Sequence, residues 1–478
     1  MKQLFSAFLL SFTLFTATAQ YNKNDELFIA KPYLQVGHNP APGTLELLWH
    51  TPDMNAGWTV EEQVIPNSPW IKTAPPMATG INAAGVAAHR VYRATLTGLV
   101  AGSTFNYRVL RNGKPVFSSE ARAPKSATQA FRFVVFGDIG AGTAEAKTLA
   151  SRAFESKPDL VVIPGDIIYE NGLISEYQEK FWPIYNADKA DTAGAPMMRS
   201  IPFVAAPGNH DTENRDLDKY PDGLAYYLFW DQPLNGPSGV EGGPFVPALK
   251  GSEANRKAFT GAAGNAYPRM SNFSLDYGNA HWVFLDANTY VDWTDKTLKD
   301  WVANDLAAAK NAAWRFVVFH HPGFNSSREH YEQQQMRLLA PVLEAGGVDI
   351  VFNGHVHNYQ RSFPLSFVPD KQGTLLVGGK DGKSFRGRVV NGRWTLDKAF
   401  NGQTNTTPHG VIYLVTGAGG QELYNPEQNN DSDSWQKFTD KFVSSIHSLT
   451  VAEVDGKTLT IRQVSADGKE LDAFRITK

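Results

Sequence analysis

No cysteine occurs among the 478 residues of the chain. Disulfide staples and thiolate metal ligands are both excluded, so any metal site must use oxygen and nitrogen donors. Charge of neither sign dominates: 45 Lys and Arg stand against 48 Asp and Glu, for a formal net charge of −3, and the basic residues are scattered. A nucleic-acid platform needs clustered basic residues, so that partner class is excluded. Long apolar runs are missing beyond the N-terminus, which excludes a later membrane-spanning helix. No internal repeat stands out. What is plentiful is glycine (41) and aromatic residues (11 Trp, 17 Tyr, 29 Phe), the composition of a turn-rich globular protein with a large aromatic core.

At the N-terminus, Lys2 precedes an apolar stretch over residues 4–15 and then Ala17-Thr18-Ala19, an A-x-A cleavage pattern. The stretch is shorter than the ~20 residues a spanning helix needs. Residues 1–19 therefore read as a signal peptide, and the mature protein as exported, to the periplasm or outside the cell.

The length allows about three units at ~150 residues each. Residues 27–124 read as short strands and turns. Leu45-Glu46-Leu47-Leu48-Trp49 and residues 103–110 nearly alternate, and Asn112-Gly113 is a hairpin signal. Roughly 100 residues suits a β-sandwich. Its histidines, His38, His50 and His89, are isolated and read as structural. Ala123-Pro124-Lys125-Ser126-Ala127 reads as a linker.

Beyond it the pattern becomes strand, loop, helix, which predicts a layered α/β domain over 130–420, completed by a β segment over 421–478. Thr143 is placed to cap a helix reaching Ser156. Residues 294–313 are a second amphipathic candidate. Residues 331–345 are a third, which Pro341 bends or divides. Residues 274–277 and 281–286 read as a hairpin across Gly278-Asn279. Residues 213–270 lack a period and read either as a lid or specificity loop or as a surface excursion. The stretches 448–454, 459–464 and 470–476 read as a terminal β-meander.

Five short polar motifs carry the chemistry. They are Gly137-Asp138-Ile139-Gly140, Gly165-Asp166-Ile167-Ile168-Tyr169, Gly208-Asn209-His210-Asp211, His320-His321-Pro322 and Gly354-His355-Val356-His357. Each follows a largely apolar run (133–136, 160–164, 201–206, 316–319, 348–352) of the kind that suits buried parallel strands. In open α/β sheets, ligands collect at the carboxyl ends of such strands. Singly, each Gly-Asp or Gly-Asn is most often a turn; in order, at five successive strand ends, they point to one site. Two Asp, one Asn and three His make a hard O/N donor set, suited to zinc, manganese or iron. A His-x-His pair puts alternate side chains on one side of an extended segment, so His355 and His357 can serve two neighbouring ions. An Asp bridging both would hold them ~3.5–4 Å apart, the two-metal arrangement of phosphoryl transfer, in which a bound water ionises near neutral pH.

The motifs resemble those of the calcineurin-like metallophosphoesterases, and within them the purple acid phosphatases, because Tyr169 follows in Gly-Asp-x-x-Tyr. The resemblance implies a four-layer αββα sandwich behind an all-β, fibronectin type III-like leader. It implies an exported acid phosphatase that hydrolyses small phosphate monoesters by attack of a metal-bound hydroxide. Asp138, Tyr169 and His357 would bind Fe³⁺. Asn209, His320 and His355 would bind a second ion (Zn²⁺, Fe²⁺ or Mn²⁺), with Asp166 bridging. His210 would contact substrate phosphate together with Asn209, and His210 or His330 would protonate the leaving group, with Asp211 orienting His210 through its other ring nitrogen. His320 and His321 are both candidates by sequence; the spacing to Pro322 favours His320. Glu329-His330 stands where plant-like relatives tend to have two histidines, which places an acid in the substrate-binding region. Asn358 and Gln360 also depart from the usual Ala and Glu. Asp286, His281 and His409 match no ligand motif and read as structural. The rival readings are a phosphodiesterase or cyclic-nucleotide hydrolase on the same metals, and a non-catalytic binding protein carried by the sandwich.

Overall fold

The protein's computed structural model describes residues 27–370, 376–378 and 387–478; the expected signal peptide lies outside the described residues. Two mixed sheets form its centre. In the first, Phe203–Ala206, Leu160–Pro164 and Phe131–Val135 run parallel, and the meander Ser448–Asp455, Thr458–Ser465 and Glu470–Thr477 continues the sheet antiparallel from Phe131–Val135. In the second, Ala280–Leu285, Trp314–Phe319, Ile350–Asn353 and Ile412–Thr416 are parallel neighbours. Phe273–Tyr277 closes one edge, and Tyr359–Ser362 with Thr439–Val443 the other.

The apolar runs are continuous because both faces of each strand are covered. Phe133, Val135, Val162 and Val204 meet Phe316, Val318, Phe352 and Leu414 between the sheets. The alternate residues face outward. Val134, Val161 and Ile163 pack under Ala146, Leu149, Ala150 and Ala153 of helix Ala144–Glu155, while Val317, Phe319 and Val351 pack under Leu298, Val302 and Leu306 of helix Lys296–Ala308. The result is the four-layer αββα sandwich. Thr143 caps the first helix, accepting from the Ala146 amide, and Asp295 caps the second. The third expected helix is divided: a 3₁₀ turn, Gln335–Leu339, precedes helix Ala340–Ala345, whose first turn accommodates Pro341. Residues 330–334 stay irregular.

The leader is a sandwich of two four-stranded antiparallel sheets, closed over Leu34, Leu47, Trp49, Val60 and Tyr107. Asn112 and Gly113 both have positive φ, as a two-residue hairpin turn demands.

The segment 213–270 is not the plain surface excursion that is one of its two readings. It holds helices Tyr226–Phe229, Glu253–Ala263 and Ala266–Arg269, and the aromatic run from Tyr226 to Trp230 is buried. This stretch locks the leader to the α/β body. Tyr33 Oη donates to the Phe229 carbonyl (2.7 Å), Arg93 Nε pairs with Asp231 (2.9 Å) and the His50 ring packs on Phe229. Tyr33, Leu48 and Val91 share one core with Trp182 and Phe229. A chain beginning near Lys125 therefore keeps every candidate ligand yet uncovers these rings, each worth about 2–3 kcal/mol when buried. Such a chain is expected to bind a hydrophobic dye and to unfold at lower denaturant than the full protein.

His281 is structural, as expected, and carries a pH prediction. Its Nδ1 lies 2.8 Å from Asp276 and its Nε2 2.9 Å from Asp305. Burial opposes its charge, but the two carboxylates outweigh burial and push its pKa up to about 9. A raised folded-state pKa stabilises fully below the unfolded value near 6.5 and is lost as pH climbs through about 9. Because Asp276 is exposed, about 1–2 kcal/mol is expected rather than the full shift. The gap in urea midpoint between wild type and His281→Ala should therefore narrow between pH 6 and pH 10.

Candidate metal centre

The five motifs meet at the carboxyl ends of both sheets. Three come from the first sheet and two from the second, so the centre sits at their shared edge. Four motifs place glycine immediately before the ligand-type residue, and tight approach of backbones explains two of these. A Cβ on Gly208 would lie 2.1 Å from Asp166 Oδ1 and 2.2 Å from its amide nitrogen; one on Gly354 would lie 2.7 Å from the Pro164 carbonyl oxygen and 2.8 Å from Asp138 Oδ2. Asp138, Asp166 and His355 all have left-handed backbones, with φ of 62°, 49° and 67°. Non-glycine residues adopt that region at a cost, and such strain concentrates at functional sites. Gly208→Ala is expected to displace Asp166, cost about 1–3 kcal/mol of stability and reduce bound metal, measurable by elemental analysis of the purified variant.

The side chains converge. Asp166 Oδ2 lies 3.1 Å from His320 Nε2, which is also 3.1 Å from Asn209 Oδ1. Asp166, His320 and His355 offer donor atoms within 4.8 Å of one another. Asp138 accepts from the Tyr169 hydroxyl (2.9 Å) and the His355 amide (3.0 Å), and its Oδ1 lies 3.4 Å from His357 Nε2. All seven ligand-type residues named from the sequence are thus in one cluster. Of the two adjacent histidines, His320 is the one beside Asp166; the His321 ring packs instead on that of His355, 4.0 Å between centroids.

Carbonyl oxygens settle two tautomers. His320 Nδ1 lies 2.8 Å from the Pro164 carbonyl and His357 Nδ1 2.8 Å from that of Glu422. A carbonyl only accepts, so each Nδ1 carries hydrogen and each Nε2 is turned toward the carboxylates, the outer-shell arrangement of metal-binding histidines.

Asp138 and Asp166 are almost wholly buried, and among the described residues their ion pairs are with histidines alone. Two buried carboxylates with no lysine or arginine partner call for another cation. Burial opposes charge on His320, yet Asp166 and then Asp138 hold its pKa at about 9. Despite its burial, Asp166 is held below its ordinary value by His320 and His210. Burial, with four histidines around it, keeps His355 well below its ordinary value and so neutral. Burial and both carboxylates hold the Tyr169 phenol well above its usual range, so only a strongly Lewis-acidic cation would ionise it. The donor set fits metal.

One expected contact is absent. Asp211 does not orient His210. Its carboxylate accepts from the backbone amides of Gly208 (2.8 Å) and Ile167 (3.1 Å), tying two motif loops together, and burial followed by repulsion from Asp166 pushes it up to about 7. The His210 orienter is the Glu170 carbonyl, 2.7 Å from Nδ1. The His210 ring lies on Tyr169, and its Nε2 is 4.0 Å from Asp166 Oδ2. His330 takes a left-handed backbone, its ring 4.0 Å from that of His355, and Glu329 is exposed on the rim of the same cleft.

Sequence reasoning missed Gln333, whose Oε1 lies 2.7 Å from His355 Nε2, and Tyr424, stacked on His357 at 4.0 Å. Neither sits in a motif, and only tertiary packing brings them in. Asn358 and Gln360 bond to each other, and Gln360 to Asn325 and the Ser326 amide, behind the cluster.

A calcineurin-like phosphoesterase family model matches residues 131–359. The chain is 24% identical over 350 residues to purple acid phosphatase 22 of Arabidopsis thaliana, covering 72% of this chain and 70% of that one. It is 25% identical over 321 residues to purple acid phosphatase 23 of the same plant (61% and 62%), and 28% identical over 245 residues to purple acid phosphatase 1 of Ipomoea batatas (49% and 44%). It therefore spans less than two thirds of the latter two. Among solved structures, a purple acid phosphatase from yellow lupin (Lupinus luteus) seeds shares the fold with TM-score 0.62 at 18% identity, covering 93% of this chain and 74% of that one. The structure of PhoD does so with TM-score 0.55 at 12% identity, covering 94% and 92%.

Proposed function

We propose, for a chain that is a purple acid phosphatase-like metallophosphoesterase, that it is an exported acid phosphatase hydrolysing small phosphate monoesters. The observation that carries this reading is the convergence of seven ligand-type side chains in one cluster, four of which (Asp166, Asn209, His355 and His357) line a cleft of about 780 Å³. Asp138, Tyr169 and His357 would hold Fe³⁺; Asn209, His320 and His355 would hold Zn²⁺, Fe²⁺ or Mn²⁺, with Asp166 between them. When bound, the ions would supply a nucleophile from water at moderate pH and neutralise charge on the phosphoryl oxygens. We assign the catalytic unit to residues 130–420, completed by 421–478, behind a fibronectin type III-like leader over 27–124. Export rests on the N-terminal pattern; no helix among the described residues is long and apolar enough to cross a membrane.

The chain's own groups handle binding and the proton. Hydrolysis breaks the P–O bond to the alcohol, water adds to phosphorus, and the departing oxygen needs a proton. With its Nδ1 hydrogen committed to the Glu170 carbonyl, His210 has only Nε2 with which to meet a phosphoryl or leaving oxygen. His330, across the cleft beside His355, is the second candidate donor. Asp211 acts through the loops and fixes where Asn209 and His210 stand.

The test is metal content and a hydrolysis panel on the purified mature protein. Two metal equivalents per chain, one of them iron, with monoesters turned over faster than diesters, are expected. Faster diester turnover would hand the site to the phosphodiesterase reading, and a metal-free, inactive protein to the binding-protein reading.

A further inference from the structure

The cleft is larger than a phosphate needs, and the rest of its lining bears on the leaving group. Beyond the metal-type ligands its charge is one-sided. Glu213, Glu329 and Glu332 line it, against one guanidinium, Arg328, and no lysine among the described residues. Arg328 is exposed, and its Nη1 lies 3.3 Å from Glu427, so its charge is already answered. A second phosphate or a carboxylate held away from His210 and His330 would therefore meet acids, with no lysine and no arginine other than the Glu427-paired Arg328 in the wall among the described residues.

Apart from the histidines His210, His321 and His330, the remaining wall is uncharged and built to hydrogen-bond. The Gln428 side-chain amide donates to the Ser326 carbonyl (3.1 Å) and the Ser434 carbonyl (3.3 Å), and the Gln436 amide donates to Ser326 Oγ (2.7 Å). These ties fix the wall before a substrate arrives, the condition under which polar groups give selectivity cheaply. Hydroxyls suit such a surface, since they both donate and accept.

Resting on the phosphomonoesterase reading, we infer that the cleft selects monophosphates of uncharged, hydroxyl-bearing alcohols and discriminates against substrates with further anionic groups. Discrimination of this kind works by repulsion as much as by attraction. Each carboxylate is expected to contribute about threefold to tenfold, the range for charges near a surface, and salt should weaken it.

The experiment compares kcat/KM of the metal-loaded full chain for glucose 6-phosphate and glycerol 1-phosphate with that for fructose 1,6-bisphosphate. It is run at low and high salt, in wild type, Glu213→Gln, Glu332→Gln and their double variant. Both glutamates are exposed, so the variants should fold. The bisphosphate is expected to be about tenfold or more poorer, its ratio to the monophosphates rising with salt and by about threefold to tenfold in each variant. A bisphosphate turned over as well as the monophosphates overturns the inference, as does a ratio that neither salt nor substitution moves. No turnover of the two monophosphates would instead sink the phosphomonoesterase reading, and the selectivity with it.

Discussion

Replacing Asp166 with asparagine is expected to lower kcat by about a thousandfold or more while the protein stays folded. Under the proposed assignment Asp166 is the one side chain shared by both ions. Losing a shared anionic ligand removes several kcal/mol of charge stabilisation, and each ~1.4 kcal/mol is tenfold in rate. Asparagine is the cleaner probe because it tolerates the left-handed backbone that Asp166 adopts (φ 49°), whereas alanine would add strain there. It also keeps an oxygen able to accept from the His210 amide, 3.0 Å away in the native protein. His355→Ala should act in the same direction on the second ion alone. Metal analysis, far-UV circular dichroism and initial rates check all three points. Wild-type turnover in a folded, metal-depleted variant would end the binuclear assignment.

Tyr169→Phe is expected to abolish a visible absorption band and weaken iron retention, leaving the other ligands in place. The phenol is held well above its usual pKa by burial and then by Asp138 and Asp166, and it donates to Asp138 at 2.9 Å. Ionising it in that setting takes a cation such as Fe³⁺, and a phenolate bound to Fe³⁺ absorbs visible light by charge transfer. Phenylalanine keeps the ring that packs on His210 and removes only the oxygen, so the metal-free fold should lose no more than about 1–1.5 kcal/mol. If iron-loaded wild type is colourless, or the colour survives the substitution, the Fe³⁺ assignment fails and an all-divalent phosphoesterase centre remains.

Much of the site was legible because its grammar is local. Each ligand-type residue stands within a few residues of an apolar run, and burial on both strand faces makes such runs continuous. The first helix was equally local: Thr143 and the Ala146, Leu149, Ala150, Ala153 stripe sit within one segment. The third helical candidate was only partly right, because residues 330–333 are drawn into the cleft wall, where Gln333 meets His355 and His330. Segment 213–270 was opaque for a related reason. Its aromatic run has no period of its own, and its partners, Tyr33, His50 and Arg93, lie far earlier in the chain.

By itself, then, the amino-acid sequence determined the donor chemistry, the strand ends that present it, and the absence of thiolate ligands and of a basic platform. These follow from residue types and spacings of a few positions. Tertiary structure settled what the spacing to Pro322 only favoured, that His320 rather than His321 stands beside Asp166, and alone decided that the Glu170 carbonyl rather than Asp211 orients His210. It alone decided that Ser448–Asp455 pairs with Phe131–Val135, the strand that leads into Asp138, and that the cleft rim is acidic. Each of those depends on which distant backbones are brought within hydrogen-bonding distance, and packing of two sheets, not any local propensity, settles that.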